Sequence, residues 1–308
     1  MEQTREERLA ELTDKLENGV QEIYTSGRYA EYLRVMSKFH RYSYGNALLI
    51  YLQCPHATRV AGYRHWQKAF GRQVRKGEKG ICIFAPCPYK RFTTQERTDP
   101  DTGQTLYGPD GAPLKETRLV QAVRFRIETV FDVSQTDGRE LPALSVSELT
   151  GKVTDYQTIY DRLTAHSPVP VGYEDIPRGA KGYFSPVEQR IALQPGMSQV
   201  QTIKTLVHEI AHAKLHDPAR QDPEGPKKRR EKEVEAESVA YVVCQHFGID
   251  TSDYSFGYVA GWSRGKELEE LKASLNTIRK ASAEIIDAIE PPVREPQEYK
   301  RDRRGYAR

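Results

Sequence analysis

His208 and His212 stand four residues apart in "KTLVHEIAHAKLHD", and Glu209 directly follows the first of them. On an α-helix each residue advances by about 100°, so positions four apart differ by only about 40° and lie one above the other. Two imidazoles placed in this way can face one ion. Glu209 sits on the adjoining flank, where its carboxylate can reach a water without itself coordinating. The chemistry implied is metal-assisted hydrolysis: the ion lowers the pKa of a water and the carboxylate takes the proton. Two ligands hold zinc poorly, however, and hydrolytic zinc sites use three protein ligands and one open position.

A third ligand is expected on a following helix, and "EKEVEAESVAYVV" offers Glu231, Glu233, Glu235 and Glu237. Glu233 and Glu237 share a helix face, whereas Glu235 points about 200° away from Glu233 and is expected toward solvent. Glu233 as the ligand, with Glu237 one turn on hydrogen-bonding a ligand histidine, is the arrangement an outer layer around a metal requires. The competing reading is a solvated helix start held by the N-terminal dipole. His216 extends the histidine face by another turn, which places it about 6 Å along the axis from His212 and suits support or packing rather than ligation. His40, His56, His65, His166 and His246 have no partner at ligand spacing and are read as structural. Cys54, Cys82, Cys87 and Cys244 form no CxxC pair, so they are expected to be thiols rather than zinc ligands.

The elements that must position these residues follow from periodicity. "SQVQTIKTLVHEIAHAKLH" reads as a helix, with Ser198 and Gln201 at capping-box spacing and Leu206, Val207, Ile210 and Ala211 to bury it. "PVPVGYE" and "GAKGYFSPVEQRIALQ" read as strands, and "GYFSP" or "QRIALQ" is expected to edge the cleft where an extended peptide can pair. "VTDYQTIYDRLTAH", the second glutamate element and about 264–290 complete the helices. Upstream, residues 2–52 read as helical, "GICIFAP" and "VQAVRFRIETVFDV" as strands that pair with each other, and 93–118 as a long polar loop. The expected fold is α+β: a basic α+β domain over 1–136, a linker over 137–152, a second domain with its HExxH helix, small sheet and long last helix over 153–290, which the resemblance given below implies to be zincin-like, and a disordered basic tail over 291–308.

Charge sharpens the first part. The chain of 308 residues carries 46 Lys and Arg against 43 Asp and Glu, yet Arg59 to Phe92 holds nine basic residues and one acid. Arg64, Lys68, Arg72, Arg75, Lys76 and Lys79 lie among Tyr63, Trp66, Phe70 and Phe84. Phosphates attract the first set and unpaired bases stack on faces such as those of the second, so Arg64, Trp66, Lys68, Arg72, Arg75, Lys76 and Lys79 are candidate single-stranded DNA contacts. A solvated turn at "KGEKG" and a core role for Trp66 and Phe70 are the alternatives. No run suits a membrane span or a signal peptide, which leaves a cytoplasmic protein with no membrane partner as the expectation.

"LVHEIAHAKLH" followed by "EKEVEAESVAYVVCQHFGID" resembles the gluzincin-type peptidase domain of the ArdC-like and ImmA/IrrE-like families. "YSYGNALLIYLQ", "WQKAFGRQVRKGEKGICIFAP" and "VFDVSQT" resemble, in that order, the N-terminal domain of ArdC-type antirestriction proteins of conjugative plasmids and integrative elements. The resemblance implies Zn2+ held by His208, His212 and Glu233, Glu209 as general base, single-stranded DNA as partner of the first domain, and a peptide or protein as substrate of the second. Two further functions remain open at this level: a DNA-coating protein whose zinc site is structural or vestigial, and a regulatory metalloprotease that cleaves a specific repressor.

Overall fold

A computed structural model describes residues 4–100, 102–141, 153–219, 227–249, 251, 254 and 256–290. The chain runs α1 (Arg5–Thr25), α2 (Tyr29–Lys38), α3 (Tyr44–Gln53), β1 (Val60–Gly62), α4 (Tyr63–Lys68), β2 (Arg72–Val74), β3 (Ile81–Glu96), β4 (Lys115–Asp132) and β5 (Thr136–Gly138). It continues with α5 (Val153–Ala165), β6 (Val171–Tyr173), β7 (Gly182–Ser185), β8 (Arg190–Leu193), α6 (Gln199–Leu215), α7 (Arg229–His246), α8 (Val259–Ser263) and α9 (Leu268–Ile289). The fold is mixed α+β, as the sequence indicates. The tail at 291–308 and most of the linker, 142–152, lie outside the described residues.

Two compact units emerge. Among the described residues, one contains those from 4 to 83 and from 129 to 290; the other contains those from 84 to 128. In the first, α1 and α2 turn Val20, Ile23, Tyr24, Tyr29, Leu33 and Met36 inward, all buried. Their partners are the later helices. The Tyr29 hydroxyl lies 2.9 Å from Ser238 Oγ on α7, and the Tyr24 ring packs 5.6 Å from that of Trp262 on α8. Residues of α1–α3 therefore share one core with α6–α9, and the 1–136 segment does not close over a core of its own. The physical reason is that the inward stripe of α2 is matched by the apolar residues of α7, Val239, Ala240, Val242 and Val243, which are buried around nearly the whole helix.

Three small sheets accompany the helices: β1–β4–β3, β2–β5 and β6–β8–β7. "VFDVSQT" ties the first two together. Asp132 is buried, and its Oδ1 accepts from the backbone N–H groups of Thr58 (2.8 Å) and Arg59 (3.0 Å) while Oδ2 accepts from Ser134 (2.9 Å). The Gln135 amide donates to Lys79 O at 2.8 Å. The motif is thus a clamp on three loops.

The second unit is the outer part of the β3 and β4 hairpin. Thr94 Oγ1 and Thr117 Oγ1 lie 3.5 Å apart and Gln95 Nε2 donates to Glu116 Oε1 at 3.1 Å, so the strands pair antiparallel as the sequence indicates. They reach into the stretch expected as a loop: regular pairing extends to Glu96 and Lys115, and the remaining turn carries bridges Thr98 with Thr105 and Tyr107 with Pro113. Thr, Gln and Arg tolerate a strand exposed on both faces, which leaves no hydrophobic alternation to reveal it.

Candidate metal centre

The helix α6 starts where its cap demands, with Ser198 Oγ accepting from Gln201 N–H at 3.2 Å. Leu206, Val207, Ile210, Ala211 and Ala213 are fully or almost fully buried and fix its rotation. His208 and His212 are then directed at α7, which packs against α6. Their Nε2 atoms lie 3.1 Å apart, and Glu233 Oε2 is 3.6 Å from the first and 3.7 Å from the second. One ligand atom from each of the three residues fits within a 4.8 Å cluster. Two imidazole nitrogens and a carboxylate oxygen converging in this way form a ligand set that suits a divalent cation. Glu233 is held as a carboxylate, its pKa pulled far down by the imidazoles of His208 and His212 beside it.

Glu209 is 7 % exposed and its pKa is raised, because burial outweighs the attraction of His208 and His212 and a backbone hydrogen bond from Phe184. Phe184 belongs to β7, which passes close over α6. A Cβ built on Gly182 would come 2.6 Å from Thr205 Cγ2 and 3.0 Å from Ala192 O, so only glycine permits that approach. His208, Glu209, His212 and Glu233 line a cavity of about 700 Å3 together with Tyr183 and Phe184. In the sheet order β6–β8–β7 the edge strands are β6 and β7, and it is β7 that lies beside the cluster; β8, the "QRIALQ" strand, is paired on both sides and has no free edge for a peptide.

A hydrogen-bond chain runs back from the cluster. His212 Nδ1 lies 3.0 Å from His216 Nδ1, His216 Nε2 lies 3.0 Å from Glu235 Oε2, and the Lys227 ammonium donates to both Glu235 oxygens at 2.9 and 3.1 Å. Glu235 accepts, so His216 carries its hydrogen on Nε2. Burial lowers the His216 pKa and keeps the ring neutral, which leaves Nδ1 to accept from His212 Nδ1–H. The chain thereby fixes His212 with its Nε2 lone pair toward His208 and Glu233. Glu235 is fully buried, not turned to solvent, because α7 is covered on the face that angle alone would leave exposed. Glu237 Oε2 accepts from the Tyr258 hydroxyl, and Glu237 lines a second opening beside His208 and Glu209. Glu235 supports the ligand His212 through His216. The signal for it was the i, i+4 continuation from His212 to His216, which requires an acceptor beyond.

The residues expected at DNA fall into two sets. Trp66 is fully buried and donates Nε1–H to Phe131 O at 2.9 Å, so it is core and offers no ring face. Arg72 donates to Thr136 and to the carbonyls of Gly138 and Arg139, and Arg75 to Glu78, Asp137 and Ser134 O; both tie β2 and its turn in place. Arg64, Lys68, Lys76 and Lys79 are exposed. In the separate hairpin unit, Phe92 and Phe125 are exposed and the Arg124 guanidinium lies 5.8 Å over the Tyr89 ring, beside Lys90 and Arg91. Spacing did not single out these aromatics, since alternation marks them equally well as one buried face of a sheet.

An α+β chain with a two-histidine, one-glutamate cluster beside a buried carboxylate defines the general class. Residues 2–131 match the family model of the N-terminal domain of anti-restriction factor ArdC. The match covers the N-terminal part alone, from α1 to near the end of β4. An uncharacterized protein of Bacillus anthracis, pXO2-81, is 28% identical over 320 residues, covering 96% of this chain and 53% of its own length. DNA primase TraC of Escherichia coli is 28% identical over 244 residues, covering 75% of this chain and 22% of the primase. The chain thus spans about half of the first relative and under a quarter of the second. Among solved structures, the metal-free ArdC protein from the R388 plasmid superposes with a TM-score of 0.44 at 24% identity, and its Mn(II)-bound form with 0.45 at 22%, each over 80% of this chain and 81% or 82% of theirs.

Proposed function

We propose that this chain is an antirestriction-type protein of a mobile genetic element that binds single-stranded DNA and carries a zinc-dependent, metallopeptidase-like hydrolytic centre on a zincin-like arrangement of α6, α7 and the β6–β8–β7 sheet. The observation that carries the hydrolytic reading is the convergence of His208, His212 and Glu233 within 4.8 Å with Glu209 buried beside them. His208, His212 and Glu233 would hold the ion. When bound, such an ion supplies Lewis-acid chemistry, acidifying a water and polarising a carbonyl. Glu209 does the proton work at its carboxylate: burial has raised its affinity for a proton, which matches a group that must take one up and release it. Edge strand β7 supplies backbone donors and acceptors that can align an extended peptide along the cleft. A purely structural metal site would have no use for a carboxylate like Glu209.

Single-stranded DNA binding is supported by the match of 2–131 to the ArdC N-terminal domain and by two exposed sets, Arg64, Lys68, Lys76 and Lys79 in the first unit and Tyr89, Phe92, Arg124 and Phe125 in the second. Aromatic faces flanked by guanidinium and ammonium groups are what a sequence-tolerant single-strand surface needs.

Elemental analysis of the purified full chain tests the centre. About one zinc per chain is expected, lost in His208→Ala. Glu209→Gln is expected to keep the metal and to lose cleavage of a peptide library by a factor of about 100 to 10,000. Metal retained in His208→Ala, or cleavage unchanged in Glu209→Gln, overturns the hydrolytic reading.

A further inference from the structure

A second ligand cluster lies at the other end of α7, in the first unit. Three helix C-termini meet there: His40 follows α2 by two residues, His246 is the last residue of α7, and Asp287 and Glu290 occupy the last turn and C-cap of α9. Ligand atoms of His40, Asp287 and Glu290 fit within 4.8 Å of one another.

Each helix end presents partial negative charge, equivalent to roughly half an elementary charge. Two carboxylates added at such a point work against the macrodipole, and α9 has no basic residue in its last turn to offset them. The place therefore attracts a cation. His40 adds the decisive observation. Its side chain is buried, 6 % exposed, and neither ring nitrogen has a hydrogen-bond partner among the described residues. Its Nε2 is aimed at Asp287 Oδ1 from 3.7 Å, too far for a hydrogen bond and suited to two atoms sharing an ion. An imidazole hidden from water with both nitrogens unused is unfavourable unless something is bound there.

The neighbouring histidine points to the same conclusion. His246 Nδ1 lies 2.8 Å from Ser37 O, an atom that only accepts, so Nδ1 carries the hydrogen. His246 Nε2 then faces Glu290 Oε1 at 2.7 Å, a contact that requires a proton or a cation to be favourable. The protein's own cation here is Arg41, whose guanidinium reaches Asp287 Oδ1 at 3.2 Å and Glu290 Oε2 at 3.6 Å from the solvent side. It is half exposed and leaves the His40 side of the cluster unserved.

We infer that His40, Asp287 and Glu290 form a second binding site for a divalent transition-metal ion, with His246 orienting Glu290 and Arg41 competing for the same carboxylates. An imidazole with carboxylates selects zinc, cobalt, nickel or manganese over calcium.

Cobalt(II) titration of the full chain, followed by visible absorption and by metal analysis after desalting, tests this. Wild type is expected to hold about two ions per chain, and His208→Ala with His212→Ala about one. In that double variant, Asp287→Asn with Glu290→Gln is expected to weaken the remaining site by roughly tenfold or more. Arg41→Ala is expected to tighten it several-fold, since a competing charge about 4 Å away is removed. Far-UV circular dichroism of each variant reports that the helices persist. A double variant that binds no ion, or one whose remaining ion is indifferent to Asp287→Asn, Glu290→Gln and Arg41→Ala alike, overturns the inference. One ion in wild type that survives His208→Ala and is lost in Asp287→Asn would instead sink the HExxH reading and leave this one standing.

Discussion

Glu235 shows how far a single side chain can be read from spacing. Its angle around α7 relative to Glu233 is right, about 200°, yet the conclusion of exposure fails because the helix is covered on both faces and Glu235 is fully buried. There it anchors His216, which in turn orients His212. Glu235→Gln keeps the shape but can present an N–H to His216, which removes the reason for Nε2–H and with it the fixed tautomer of His212. Metal affinity at the HExxH cluster is expected to fall about 10- to 100-fold in this variant, measured by competition with a chromophoric chelator, while His208, His212 and Glu233 remain in place. Unchanged affinity would make Glu235 a partner of Lys227 alone. The cluster itself was legible: helical periodicity places His208 over His212, and the need for a third ligand singles out Glu233. Which further carboxylate supports them was not, since that depends on what packs against α7.

At the scale of elements, two short pieces set the geometry of much longer ones. Gly182 lets β7 approach α6 closely enough for the Phe184 backbone to bond Glu209. Gly182→Val is expected to cost about 1–3 kcal/mol in urea unfolding, because neither Thr205 on α6 nor the backbone oxygen of Ala192 can move far. Asp132 does comparable work upstream. Burial alone would raise its pKa, but hydrogen bonds from the Ser134 side chain and from the backbone N–H groups of Ser134, Thr58 and Arg59 hold it below the usual aspartate value. A depressed folded-state pKa means that the stabilisation is fully present above the unfolded value near 4 and is lost as pH falls through the folded value. Urea midpoints from pH 7 down to pH 2 are therefore expected to fall more steeply in wild type than in Asp132→Asn, which is expected to be less stable at pH 7 by about 1–3 kcal/mol. Parallel curves would remove Asp132 from the acid response. The strands of "GICIFAP" and "VFDV" are readable from their apolar runs, whereas the outer hairpin to Glu96 and from Lys115 is not, because neither face is buried enough to imprint a period of two.

For the whole molecule, the sequence divides more cleanly than the core does. The family match ends at residue 131, and composition changes soon after, yet Tyr24, Tyr29, Leu33 and Met36 are buried together with Val239, Val243, Leu275 and Ile278. Amphipathic stripes announce that a helix has a buried side; they do not say which other stripe covers it. A fragment of residues 1–136 would expose this entire interface, including the Tyr29 hydroxyl now bonded to Ser238. Burying an aromatic or aliphatic side chain contributes about 1.5–3 kcal/mol, so exposing several exceeds the stability margin of an ordinary domain. The fragment is expected to lack a cooperative thermal transition and near-ultraviolet circular dichroism, while the full chain shows both. DNA binding is accordingly to be measured on the full chain. Its affinity for a single strand is expected to fall linearly on a log–log plot of salt concentration, with Lys76→Ala plus Lys79→Ala lowering the slope. Phe92→Ala plus Phe125→Ala is expected to weaken binding by about 1–3 kcal/mol per stacked base without changing that slope. Loss from the lysine pair alone would confine the contact to the first unit; loss from the phenylalanine pair alone would assign it to the hairpin; and a flat salt response with both variants wild-type would remove single-stranded DNA as a partner.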